Sequence, residues 1–169
     1  MPLNLLKIYN QLLELASFNE YQRKKSLTGV FSRDIIENKT FTFEGKAIHP
    51  TPIDGEIKIS TLYTHLTTVI TDKKTKKREF DICRSQRLHW VKYHIDKNKT
   101  DDMLIFSVKE PNGFRTYIYD KTEKYVVVLE PLRKVNEYYL LTAYNLRGKD
   151  AKKNKFIRKY KMRRLNEVL

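Results

Sequence analysis

The sequence predicts an α+β fold: an N-terminal helical region, then a helix packed on a four- to six-stranded, mainly antiparallel sheet, closed by a basic C-terminal helix. Three observations predict it. Apolar residues recur at helical spacing early in the chain, at Leu5, Leu6, Tyr9, Leu12, Leu13 and Ala16. Four runs rich in Val, Ile, Tyr and Thr follow one another beyond residue 100, separated by turn residues. The last stretch mixes cations with apolar residues at helical spacing. With 169 residues and 40% apolar composition, the chain suffices for one compact domain or a domain with an arm, and is too apolar to be wholly disordered.

The elements follow in order. Residues 3–16 carry the i, i+3/i+4, i+7 pattern of an amphipathic helix, and 19–27 and 32–38 continue as helices. Residues 40–52 look extended, and Pro50 and Pro52 break them, which sets a helical N-terminal unit at 1–55 and a second unit at 56–169. Residues 57–59 and 62–71 are rich in Thr, Ile and Val and read as β, with 72–77 a charged turn. Residues 81–97 read as one helix. The strands are 103–108, 114–119, 124–132 and 137–145, the first two joined by the hairpin turn Pro111-Asn112-Gly113. Residues 146–169 read as a helix that begins near Gly148 and Asp150 and docks Phe156, Ile157, Tyr160, Leu165 and Val168.

Charge is the outstanding compositional feature. There are 34 basic against 20 acidic side chains, a net of +14. Residues 1–60 are nearly balanced, with 8 basic and 7 acidic groups, whereas residues 146–169 carry 10 and 2. A field of this sign attracts polyanions, with nucleic acid first and an anionic membrane surface second. The cations Lys152, Lys153, Lys155, Arg158, Lys159 and Arg163 are therefore candidate contacts to a phosphate backbone, set against the simpler reading of a solvated helix face. No apolar run approaches the length of a membrane span, so no membrane is expected. The early leucines are interrupted by polar residues, unlike a secretory leader, and Cys83 stands alone; a cytoplasmic location is expected. No phosphate-binding glycine loop, dinucleotide fingerprint, Gly-x-Ser-x-Gly elbow or His-Glu-x-x-His motif is present, and no cofactor or metal is expected.

The candidate chemistry gathers in two places. On a helical wheel of residues 84–95, Leu88, Val91 and Ile95 form a buried stripe, and Arg87, Trp90 and His94 share one flank of it. A guanidinium beside an imidazole at the border of core and solvent suits phosphate chemistry, the first stabilising charge and the second moving a proton; both as ordinary border residues is the plainer alternative. In the last strand, strict alternation sets Tyr138, Leu140, Thr142 and Tyr144 on one face, and Arg115, Tyr117 and Tyr119 share a face of an earlier strand. If these faces coincide, the sheet offers Arg, Thr and Tyr together for phosphate contact and base stacking. His65 is a further candidate for moving a proton.

Arg84-Ser-Gln-Arg87-Leu-His-Trp90, the strand Arg115-Thr-Tyr-Ile-Tyr119, the run Tyr125-Val-Val-Val-Leu-Glu130, the strand ending Thr142-Ala-Tyr144 and a basic C-terminal helix together resemble the phage-associated nuclease-like domains grouped with barnase, EndoU, colicin and RelE-type ribonucleases. The resemblance spans roughly residues 60–165. It implies metal-independent RNA cleavage, in which the ribose 2′-hydroxyl attacks the adjacent phosphate. Arg84, Arg87 and Trp90 match its helix motif, Thr142 and Tyr144 its last-strand motif, and Arg115 a basic position of a preceding strand. His94 lies outside the motif. On this reading the site comprises Arg87, Arg115, Thr142, Tyr144 and either His94 or His65, with Arg84, Trp90 and the C-terminal cations holding RNA. An acidic antitoxin or immunity protein is then the expected protein partner. A non-catalytic RNA- or DNA-binding module, and an interaction protein working through its helical N-terminus, remain as alternatives. The catalytic reading requires Arg87, Arg115 and Thr142 to line one cleft.

Overall fold

The computed structural model describes residues 2–169. Its centre is a six-stranded sheet in the order β1-β2-β10-β9-β8-β7. These strands are β1 (Thr42–Phe43), β2 (Lys46–Pro50), β7 (Met103–Glu110), β8 (Gly113–Asp120), β9 (Tyr125–Leu132) and β10 (Glu137–Asn145). Two small ribbons, β3 (Pro52–Ile53) with β4 (Glu56–Ile57) and β5 (Thr68–Asp72) with β6 (Lys77–Phe80), stand apart from it. All pairings are antiparallel except β10 with β2. The fold is α+β, as the sequence predicts.

Both faces of the sheet are covered, and the period-two alternation of the strands assigns the side chains to them. Ile118, Val127 and Leu129 face one core together with Leu27, Phe31, Leu62, Leu66 and Val91. Tyr117, Tyr119, Val126 and Val128 face a second core, closed by Phe156. The apolar run in β9 reads as continuous because water reaches neither side of it. A bulge between Leu140 and Thr142 breaks the alternation of β10. Thr142 and Tyr144, paired with Val128 and Val126, therefore part from Tyr138 and Leu140, which face the first core.

Several elements depart from the sequence expectation. Only Pro2–Leu5 (α1) is helical in the predicted 3–16 helix. Beyond it the chain forms a strap in which Leu13 and Leu15 are both buried while Leu5, Leu6 and Leu12 are exposed. The buried Asn4 amide holds the strap by donating to the Glu14 carbonyl (3.1 Å) and accepting from the Glu14 N–H (2.8 Å). The next helix, α2 (Glu20–Phe31), opens on a capping box between Asn19 and Gln22 and runs into a π-helical turn at Ser32–Ile36. Residues 62–67, expected as β, belong to α3 (Ile59–Thr67). Leu62 and Leu66 bury one face of α3, and the Thr64, Thr67 and Thr68 hydroxyls donate back to carbonyls four residues earlier, which accommodates this threonine-rich run in a helix.

The predicted helix 81–97 is two helices, α4 (Ile82–Ser85) and α5 (Trp90–Ile95), so the continuous wheel drawn through it does not apply. Its flank is not a border with solvent. The strap covers it: Trp90 Nε1 donates to the Gln11 carbonyl (3.2 Å), His89 Nε2 to that of Ile8 (3.1 Å), and the Leu13 N–H to that of Gln86 (3.0 Å). The C-terminal stretch is also divided, into α6 (Gly148–Lys152) and α7 (Lys155–Lys161), by Asn154 in the left-handed region at φ 49°. Residues on both sides of position 55 share the first core. No helix among the described residues is long and apolar enough to cross a membrane.

One buried carboxylate ties these parts together. Asp120, with no exposure, accepts from Tyr9 Oη (2.7 Å), His94 Nε2 (3.0 Å), Lys99 Nζ (2.7 Å) and the N–H groups of Thr122 and Glu123 (both 3.1 Å). Burial raises the carboxyl's pKa, but these hydrogen bonds outweigh it and hold Asp120 well below the usual carboxylate range. A depressed folded-state pKa contributes stability above the unfolded value and loses it as pH falls through the folded one. Asp120→Ala strands His94 and Lys99 and is expected to cost about 3–5 kcal/mol. In urea unfolding from pH 6 to about 3, Asp120→Asn should also flatten the acid-dependent loss of stability relative to wild type. An unchanged acid limb would contradict this role.

Candidate functional site

The parallel pairing of β2 with β10 ends at Pro50 opposite Leu140. Proline lacks the N–H that would extend the ladder, and the β10 bulge begins at the same level. The edge of β10 beyond it is left to α3, α4 and the β5–β6 ribbon. Between them lies an open cleft of ≈ 450 Å³, lined by His65, Val69, Ile70, Arg78, Arg84, Leu141 and Thr142.

Arg84 is fixed from its backbone outward. Asp81 caps α4 by accepting the Arg84 N–H (2.7 Å), and the buried Ser85 hydroxyl donates to the Thr67 carbonyl (2.9 Å). The Arg84 Nη1 reaches the carbonyls of His65 (2.8 Å) and Thr68 (3.1 Å) and the Thr142 hydroxyl (3.4 Å). Those carbonyls belong to the C-terminal end of α3, where a cation is favoured. The guanidinium lies 5.2 Å from the centroid of the Tyr144 ring, and its buried Nε has no hydrogen-bond partner. Arg78 comes from the ribbon and donates to Thr68 through Nε (2.8 Å, to Oγ1) and Nη2 (3.1 Å, to the carbonyl).

Neither arginine is within ion-pair distance of a carboxylate among the described residues. The near acid, Asp81, is paired with Arg147 at 2.8 Å. Burial lowers the Arg84 pKa; Asp81 opposes that and the charge of Arg78 adds to it. Burial also lowers the His65 pKa below its ordinary 6.5; the charge of Arg78 pushes the same way, the Leu141 backbone hydrogen bond opposes it, and the charge of Arg84 adds a smaller lowering. The cleft thus combines two arginines without ion-pair partners, an imidazole of lowered pKa and a hydroxyl. Chemically such a set can hold an anion and take up a proton beside it.

The remaining residues singled out in the sequence lie elsewhere. Arg87 donates to the Cys83 carbonyl (2.7 Å) and sits 5.2 Å from the Trp90 ring. Trp90 is 2% exposed and His94 1%, with both ring nitrogens of His94 committed, to Asp120 and to the Trp90 carbonyl (2.7 Å). They belong to the core, so His94 cannot meet a substrate. Arg115 donates to the Phe114 carbonyl (2.8 Å) and lies 3.6 Å from Glu130. Arg87, Arg115 and Thr142 therefore do not line one cleft; Arg84, Arg78, His65 and Thr142 do, with Tyr144 beneath Arg84. Tyr117 and Tyr119 are no stacking platform, because Phe156 of α7 packs on them at 5.0 and 5.3 Å.

Of the C-terminal cations, Lys153, Lys155, Arg158 and Lys159 line a second groove of ≈ 400 Å³ against β7. Lys155 pairs with Asp150 (3.2 Å) and Lys159 with Glu110. Lys152 is exposed on α6, and Arg163 lies on the Tyr160 ring at 3.7 Å. Arg78 was missed in the sequence. Its signal was the alternation of Lys77-Arg78-Glu79-Phe80, a strand that pairs with β5 and that the sequence reading left between the 72–77 turn and the helix from 81. Among the described residues no group of three or more His, Cys, Asp or Glu is placed to hold a metal. Comparison of the chain with protein-family models, with curated proteins and with solved structures gives no match.

Because Arg78 depresses the His65 pKa, Arg78→Gln should raise it toward 6.5, read from the pH dependence of the His65 ring resonances in NMR. An unmoved titration would show that Arg78 does not act on the imidazole.

Proposed function

We propose that the chain is a metal-independent endoribonuclease of the barnase–EndoU–colicin–RelE kind, working at the His65–Arg78–Arg84–Thr142 cleft. The observation that carries this reading is the convergence of two arginines lacking carboxylate partners on a neutral histidine. A bound phosphodiester supplies the missing anion. Arg78 and Arg84 hold its non-bridging oxygens, Thr142 orients one of them, and Tyr144 supports the Arg84 guanidinium from below. His65, kept neutral by burial and by its cationic neighbours, takes the proton of the ribose 2′-hydroxyl. The 2′-oxygen then bonds to phosphorus and the bond to the 5′-oxygen breaks. The departing 5′-oxygen regains a proton through solvent at the open mouth, leaving a 2′,3′-cyclic phosphate and a 5′-hydroxyl. Charge on phosphorus's oxygens peaks in the transition state, where two fixed guanidinium groups stabilise it most. Val69, Ile70 and Leu141 give the cleft apolar walls, which suit an unstacked base beside the phosphate.

The geometry required of Arg87, Arg115 and Thr142 is absent, so this reading rests on a different set: it moves the phosphate-binding role from Arg87 and Arg115 to Arg84 and Arg78, and assigns the proton to His65 rather than His94. The groove of α6 and α7 serves as a backbone grip through Lys153 and Arg158, which supports a second reading: a module that holds a strand without cutting it. An acidic antitoxin or immunity protein fits a surface of net charge +14 under the first reading.

With labelled RNA in the presence of a chelator, wild type should yield cyclic-phosphate ends. His65→Ala should lower the rate by about 10²–10⁴-fold and Arg84→Gln by about 10²–10³-fold, with a smaller loss for Thr142→Ala. Full activity in His65→Ala would remove the mechanism, and an intact ladder with salt-dependent binding would favour the second reading.

A further inference from the structure

The β5–β6 ribbon supplies one wall of the cleft and then leaves the body of the protein. No residue of either strand is buried, and residues 73–77 at its tip are all exposed. A two-stranded ribbon is marginal by itself in water, and here its root is fastened by the Arg78 bonds to Thr68. Its charge is one-sided. The Asp72 carboxylate shapes the turn by accepting the N–H groups of Lys74 (2.8 Å) and Thr75 (3.4 Å), and Glu79 is paired with Lys77 (3.2 Å). Lys73, Lys74 and Lys76 are within ion-pair distance of no carboxylate among the described residues. Lysines on an exposed strand edge also discourage aggregation. That role does not require the ribbon to begin inside an anion-binding cleft.

We propose that this ribbon is an arm that grips the substrate strand, its three tip lysines binding phosphates on one side of the phosphodiester held in the cleft. The proposal rests on the cleft's reading as a phosphodiester site and adds a substrate class: single-stranded RNA long enough to reach the tip. At the rise of a β-strand, Asp72 at the end of β5 lies about 7 Å along the ribbon from Ile70 at the cleft, and the three lysines sit in the turn beyond it. A dinucleotide fills the cleft and leaves the arm empty, whereas a longer strand engages both.

The test is the triple variant Lys73→Gln, Lys74→Gln, Lys76→Gln, whose side chains are exposed and carry no packing. Binding of a fluorescent, uncleavable 2′-O-methyl strand of roughly 16 nucleotides is followed by anisotropy across a salt series. Wild type should bind with a slope of log affinity against log salt steeper than that of the variant by about 2, with affinity about tenfold or more higher at low salt. Cleavage of a dinucleoside monophosphate should be equal in the two. An unchanged slope overturns the arm, as does an equal loss on the dinucleotide, or an effect seen only on phosphatidylserine vesicles. If wild type cleaves neither the dinucleoside monophosphate nor labelled RNA but the slope still differs, the nuclease reading falls and the arm stands as a strand grip.

Discussion

The Asp120 carboxylate is the constraint on which the rest of the structure depends. Removing a carboxylate from water is expensive unless hydrogen bonds and charge replace the lost hydration. Here five donors from separate parts of the chain do so: the strap through Tyr9, α5 through His94, the following loop through Lys99, and the β8–β9 turn through two backbone N–H groups. The Tyr9 ring adds packing, stacked on Tyr93 at 4.1 Å and edge-on to Trp90 at 5.1 Å. The strap so fixed bonds to Gln86, the residue after α4, and α4 carries Arg84. The hub thus reaches the cleft through the backbone while lying away from it.

The cleft exists because a sheet edge is left incomplete. Pro50 ends the β2 ladder and a bulge re-aims β10, so Leu141 and Thr142 meet the end of α3 instead of another strand. Arg84 is held there mainly by carbonyl oxygens, which satisfy hydrogen bonds but cancel little charge, and one buried nitrogen is left without a partner. An apolar core would not tolerate such an arrangement without cost. On the proposed reading, an anion in the cleft would offset the guanidinium's charge.

The strands beyond residue 100 were legible because their alternation and turns are local properties, and the structure keeps each of them. The class followed from that. What failed depended on contacts between distant residues. The leucines of the strap carry a helical period, yet Asn4 and Asp120 hold it in a conformation that buries Leu13 and Leu15 together. Threonine-rich residues 62–67 look like a strand until their hydroxyls find backbone carbonyls within a helix. At the site, Arg84, His65, Thr142 and Tyr144 were visible as residues but not as a group, since Arg87 and His94 shared the drawn helix face. Only the strap shows that this face is interior. Arg78 fell between the charged turn at 72–77 and the helix read from 81, in no element at all.

The central claim is that the cleft at the β10 edge, and not the α6–α7 groove, holds the phosphodiester. Titrating the protein with an uncleavable 2′-deoxy dinucleoside monophosphate while recording amide, arginine and histidine NMR resonances tests this directly. The account predicts shifts concentrated on His65, Arg78, Arg84 and Thr142, with the His65 pKa rising as the anion binds. Shifts confined to Lys153, Arg158 and their neighbours, with His65 unmoved, would contradict it.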